Sequence, residues 1–156
     1  MPSELETYQW RGARAMVLLH EQNMREFLST WRAFRASGKS LPATQDPDYA
    51  SPQKLLRHAF RASRGYMTWM CEQLGFPDPG IQEPPDEDQV EGQAALYLEH
   101  LLARWREPLA GLTEKRSEEE YKSRWGATYS IDSMLEHAVM HPIRHSFQLK
   151  DLMSRR

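Results

Sequence analysis

Three histidines near the C-terminus, His137, His141 and His145, follow one another at four-residue intervals. On a helix a four-residue step turns a side chain by only about 40° and advances it by about 6 Å. The three imidazoles therefore form a stripe along one face. Two imidazoles at i and i+4 can grip one metal ion, because both can reach the roughly 2.0–2.1 Å bonds that zinc makes with histidine nitrogen. Three in a row cannot, since His137 and His145 lie about 12 Å apart along the axis. A single ion takes either the His137/His141 pair or the His141/His145 pair, and needs a third ligand from another helix. His58, in Leu55-Leu56-Arg57-His58-Ala59-Phe60, is the best candidate. Three neutral imidazoles with an open fourth position form a catalytic zinc site, in which bound water reaches a pKa of about 7. A thiol that takes the place of the water is deprotonated by the ion. The pattern thus serves hydrolysis or thiol transfer.

These side chains need helices to hold them. The stripe continues an apolar seam, Met134, Ala138, His141, His145, Gln148/Leu149 and Leu152, with the alternating steps of three and four of a helix facing its partners. Ser130 caps this last helix, Asp132 suits its positive end, and it runs to about Met153. Pro142 lacks an N–H and clashes with the carbonyl of Ala138, so a kink is expected there, in a place able to shift the bite of the histidine pair.

The first helix, from about Leu5 to Ala36, carries the seam Trp10, Ala13, Val17, His20, Met24, Phe27, Trp31 and Phe34. His20 interrupts it and reads first as a core histidine, with a pocket or fourth-ligand role as the alternative. His20-Glu21 is no zincin motif, because position 24 is Met. Residues 37–50 are a loop, and Ser37-Gly38 is a helix stop. Lys39-Ser40 does not complete a phosphate-binding loop, since Ala33 stands where its first glycine belongs. Ser51-Pro52 starts the second helix, which runs to about Leu74 with Leu55, His58/Ala59, Ala62, Tyr66 and Trp69 inward. Cys71 packs as a small apolar residue. The proline-rich loop over residues 75–86 is either part of a pocket mouth or a rigid surface connection. The third helix, from about Glu87 to Leu109, uses Val90, Ala94, Tyr97, Leu101 and Trp105, and Pro108 marks its end, with His100 on the surface. Residues 113–129 are polar and of mixed charge, a solvated face.

The chain has 156 residues, 40% hydrophobic and 27% charged, with a net charge of −2. That is one domain's worth, with no charge excess to steer it towards nucleic acid or an anionic membrane. No apolar run approaches the roughly 18 residues of a membrane helix. The acidic N-terminus lacks the order of a signal peptide, and one cysteine allows no internal disulfide, so a cytoplasmic location is expected.

Leu55-Leu56-Arg57-His58 followed by His141-Pro142-Ile143-Arg144-His145-Ser146-Phe147-Gln148 resembles the pattern of the DinB/YfiT-like four-helix bundles. These have one histidine in the second helix after an apolar pair, and a His-x-x-x-His-x-x-Gln run in the last. The resemblance spans nearly the whole chain. It implies an all-α four-helix bundle with long connections, a single domain over residues 1–156, and a metal site of His58, His141 and His145, with His137 one turn earlier and not a ligand. It implies a divalent metal ion, zinc or nickel first and iron next, since imidazole suits all three. It points to metal-dependent hydrolases and to low-molecular-weight-thiol transferases or isomerases acting on a small-molecule substrate. With five tryptophans to hide, it also points to a homodimer. Gln148, Tyr66 and His20 are candidate auxiliary groups, and Glu136, Asp132 or backbone carbonyls are candidate partners for the second ring nitrogens. The alternative is a non-catalytic metal-binding, dimerisation or sensing bundle. A di-iron ferritin-like site is excluded, because no histidine has Glu three positions before it.

Overall fold

In a computed structural model, which describes residues 5–156, the chain is all-α apart from one small hairpin. Four long helices, α1 (Arg11–Ala36), α2 (Pro52–Leu74), α3 (Glu87–Trp105) and α5 (Ile131–Ser154), pack around one core. Between the last two lie a short helix α4 (Glu114–Ser117) and the strands β1 (Glu120–Lys122) and β2 (Thr128–Ser130). Helix α1 packs chiefly against α5, and α2 against both α3 and α5. The inner walls of α2 and α5 thereby face each other, which a site shared between His58 and the α5 histidines requires.

The helix signals act as their chemistry dictates. The Ser51 hydroxyl accepts from the Lys54 N–H at 3.0 Å, and Pro52 occupies the first turn, where its missing N–H costs nothing. At the other end Gly75 takes φ 70°, so that Phe76 N–H reaches the Cys71 carbonyl at 2.9 Å and closes the helix with a left-handed cap. The Ser130 hydroxyl accepts from Ser133 N–H at 2.9 Å to start α5. Helix α1 begins at Arg11 rather than near Leu5, because Trp10 is extended and its indole folds back over Gly12, where a Cβ would lie 2.4 Å from the ring. Helix α3 ends at Trp105 rather than Leu109. Pro108 cannot continue it, and the Arg106 carbonyl accepts from the Tyr8 hydroxyl at 2.5 Å instead of a helical N–H.

The seam residues are the core. Trp31, Trp105, Phe27, Phe34 and Phe60 are all buried to within 1%, and each aromatic of this kind removes roughly 150–250 Å² from water. Trp69 is buried and Trp10 packs against the cluster, so only Trp125, at 53% exposure, faces solvent. Cys71 lies in the same core, and burial pushes its thiol up to about 12, which makes it inert as a nucleophile. His20 is fully buried and stacks on Trp105 with centroids 3.6 Å apart, while its Nε2 meets the Ser63 hydroxyl at 2.8 Å. Its Nδ1 has no hydrogen-bond partner among the described residues. A bare lone pair costs less there than a bare N–H, so the favoured tautomer donates from Nε2 to Ser63.

Two connections are pinned rather than loose. The segment between α1 and α2 is tied at its start by the Lys39 ammonium, which donates to the carbonyls of Leu152 and Met153 at 3.3 and 3.1 Å, and to that of Arg155, at the end of α5. Near its end, Asp46 accepts from the Asp48 N–H at 3.0 Å and sets a 3₁₀ turn over Pro47–Tyr49. The loop over residues 75–86 is held by Arg64 to the Ile81 carbonyl at 2.8 Å, by Tyr97 to the Gln82 carbonyl at 2.8 Å, and by the Gln82 N–H to His100 Nε2 at 3.0 Å. His100 is thus not a bystander on the surface but the acceptor that fixes this loop. Among the described residues no helix is long and apolar enough to cross a membrane.

The polar stretch over residues 113–129 also takes a form its composition hides. Strands β1 and β2 pair antiparallel with Tyr121 opposite Tyr129, and Gly126 turns the chain at φ 91°. Trp69 Nε1 donates to the Lys122 carbonyl at 3.1 Å and anchors the hairpin on α2, which places Trp125 at the tip beside His137.

Candidate metal centre

His58, His141 and His145 come together between α2 and α5, with one ligand atom from each lying within 4.8 Å of the others. His58 Nε2 is 3.1 Å from His141 Nε2, and His145 Nε2 is 3.3 Å from His141 Nε2. Two nitrogens on one tetrahedral ion at bonds of about 2.0–2.1 Å stand about 3.3 Å apart. Two of the three spacings therefore match one ion, and the third lies within 4.8 Å. Helix α5 continues through Pro142: the proline removes one N–H from the ladder, and His141 and His145 converge across it.

The rings are oriented from behind. His58 Nδ1–H donates to the Asp48 carboxylate at 3.0 Å, and His145 Nδ1–H donates to the Gln148 side-chain oxygen at 3.0 Å. Each bond leaves Nε2 as the lone pair that points into the cluster. Gln148 was expected as an auxiliary group. Asp48 was not: neither Glu136 nor Asp132 serves, and the carboxylate comes from the 3₁₀ turn in the first connection. Its only sequence signal is Asp46-Pro47-Asp48, a local turn motif whose distance from His58 is set by the whole fold.

His141 Nε2 lies within hydrogen-bond distance of both other Nε2 atoms, so without an ion a proton on it can bridge to His58 or His145. Burial, with the like charges of His145 and His58, pushes His141 down to about 2, and burial followed by His58 pushes His145 down to about 4. Both are neutral near pH 7, the form in which an imidazole ligates a metal. His141 and His145 are 6% and 3% exposed, whereas His58 is half-buried and marks the open side. Phe27 and Tyr49 cover His145, with centroids at 6.3 and 5.7 Å.

His137 stands outside the cluster. Its ring is 5.2 Å from Tyr66, 5.6 Å from Trp125 and 5.5 Å from Tyr129, an aromatic group that adjoins the site through Tyr66, itself 5.8 Å from His141. His20, bound to Ser63 and Trp105, is not part of the site.

Asp48 provides a direct check on this arrangement. Asp48→Asn keeps the shape but trades a carboxylate for an amide, so zinc affinity falls about 10- to 100-fold, as loss of an outer partner does elsewhere. Competition with a chromogenic chelator measures it, and an unchanged affinity would show that the carboxylate is an ordinary surface contact. No protein-family model matches the chain, and no curated protein or solved structure matches it.

Proposed function

We propose that this chain is a DinB-like metalloenzyme, holding one divalent ion, zinc or nickel first and iron next, on Nε2 of His58, His141 and His145, and directing a water or low-molecular-weight thiol nucleophile at a small-molecule substrate. The convergence of the three Nε2 atoms, with Asp48 and Gln148 fixing the tautomers of His58 and His145, carries the reading. The order of the motifs supports the family assignment, one histidine in α2 and His-x-x-x-His-x-x-Gln in α5.

An ion bound there supplies Lewis-acid chemistry, lowering the pKa of a nucleophile at its open position to about 7 for water and ionising a thiol. The chain's own residues set the surroundings. Phe27 and Tyr49 close the side of His145 against solvent, and His58 borders the accessible side. The Tyr66 hydroxyl makes no hydrogen bond among the described residues, and burial pushes it up to about 12. It remains protonated at neutral pH and can donate to a substrate oxygen.

Elemental analysis of protein purified without a nickel column, and again after incubation with zinc, nickel or iron, tests the reading. About one equivalent per chain is expected, followed by turnover in screens of hydrolytic and thiol-transfer substrates. Protein that takes up none of the three metals overturns the site. Metal-loaded protein inactive in both screens leaves a non-catalytic metal-binding bundle.

A further inference from the structure

One face of α2 carries His58, Ala62, Gly65, Tyr66 and Trp69, at steps that keep them on the same side of the helix. Its middle is bare. Glycine costs the interior of a helix more than alanine does, because it gives up more backbone freedom on folding. Packing does not call for it at Gly65: a Cβ built there meets within 4 Å only Nη1 of Arg124, at 3.8 Å, an ordinary contact. The bare stretch is the floor of a trough of about 480 Å³, which His58, Tyr66, Trp69 and Trp125 also line.

Tyr66 points independently to a ligand. It is 8% exposed and lines the trough, yet its hydroxyl makes no hydrogen bond among the described residues and is not sealed from solvent. Buried tyrosines ordinarily set that hydroxyl on a partner, as Tyr8 does on the Arg106 carbonyl and Tyr97 on the Gln82 carbonyl. Tyr66 instead keeps a donor at the wall of the trough.

Walls and rim set the chemistry of what fits. Trp69 keeps its Nε1–H on the Lys122 carbonyl and offers its ring, and Trp125 is 53% exposed at the hairpin tip. Aromatic rings favour offset or edge-on contact with another flat ring, which a saturated ring cannot reproduce. The arginines that line the trough are matched on the protein, Arg64 by Glu83 at 3.0 Å, Arg61 by Asp48 at 3.5 Å and Arg124 by Glu72 at 3.4 Å. An acid would meet Asp48 and Glu83, and a cation would meet the arginines. An uncharged ligand meets neither penalty.

We infer that this trough is the substrate cleft of the three-histidine site and takes an uncharged aromatic compound bearing an oxygen acceptor, its ring on the Gly65 floor against Trp125 and its oxygen on the Tyr66 hydroxyl. The inference rests on reading the three histidines as the reactive centre, and it deepens that reading by naming the substrate class. His58, on the same face of α2, ties the cleft to that centre.

Titration of the full chain with benzamide, cyclohexanecarboxamide and benzoate, followed by ligand-observed NMR, tests it. Benzamide binds about two- to tenfold tighter than its saturated counterpart, the scale of one contact between rings, and tighter than benzoate. Tyr66→Phe weakens benzamide by about two- to tenfold, the scale of one hydrogen bond, without lowering the melting temperature. Gly65→Ala melts no lower than wild type, whereas Gly65→Leu fills the floor and abolishes binding. Trp125→Ala, at an exposed tip, weakens benzamide whether or not the leucine variant folds. No binding of benzamide, equally tight binding of cyclohexanecarboxamide or benzoate, or wild-type affinity in Trp125→Ala or in folded Gly65→Leu overturns the cleft. The titration reads the cleft and not the ion, so protein that binds benzamide but no metal loses the reactive centre alone.

Discussion

His141→Ala removes metal binding, with a loss larger than the roughly 10- to 100-fold that an outer partner costs. His141 is the hinge of the cluster: its Nε2 lies 3.1 Å from that of His58 and 3.3 Å from that of His145. Without it the two remaining imidazoles come from different helices, so the ion keeps two ligands and not three. The effect also shows in stability. An ion that binds only the native chain adds about 2.7 kcal/mol at a hundred times its dissociation constant, or roughly 5–11 °C in melting temperature for a domain of this size. Zinc therefore raises the melting temperature of wild type and leaves that of His141→Ala in place. The variant folds, because the residues around the site keep their helix packing and Asp48 and Gln148 still hold His58 and His145. Equal thermal shifts in the two proteins would mean that the ion binds elsewhere.

Acid weakens the metal-free fold through His20 as well as through the site. This ring is fully buried between Ser63 and Trp105, burial alone pushes it down to about 3, and no carboxylate meets it to stabilise a cation. The unfolded chain binds the proton near the ordinary pKa of about 6.5 and the native chain does not. Below about pH 6.5 the unfolded state holds the extra proton, so stability is full above that value and falls by roughly 1.4 kcal/mol per pH unit towards pH 3. His20→Phe keeps the stack on Trp105 and removes the titration. In urea unfolding between pH 6 and pH 4, wild type loses about one proton's worth of slope more than the variant. Parallel losses would place the acid sensitivity in the other histidines alone.

The long helices were legible because their seams repeat at three and four residues and their ends carry local chemistry, Ser51-Pro52, Gly75 and Ser130. The α5 stripe announced a metal pair, but its partner in α2 depended on the height at which two helices meet, which no local pattern encodes. Three residues gained their roles only from tertiary contact: Asp48, behind His58; His100, which accepts from Gln82; and Trp125, carried by a hairpin. Strands of three residues with exposed polar side chains leave too little alternation to be read. Pro142 does not end α5: its cost is local, one lost hydrogen bond, and the packing of α5 against α1 and α2 carries the helix on past it.

The connection that carries Asp48 is closed at both ends, by the Lys39 ammonium on the last carbonyls of α5 and by the Ser51 hydroxyl on the first turn of α2. Lys39 also sits where the α5 dipole is negative, so the same contact serves the helix and the loop. An unanchored segment would have to give up its backbone freedom, about 1–2 kcal/mol per residue, when an ion arrived. Here that entropy is lost on folding. Arrival of an ion orders no further chain on this side, and the affinity of the three nitrogens is spent on the ion alone.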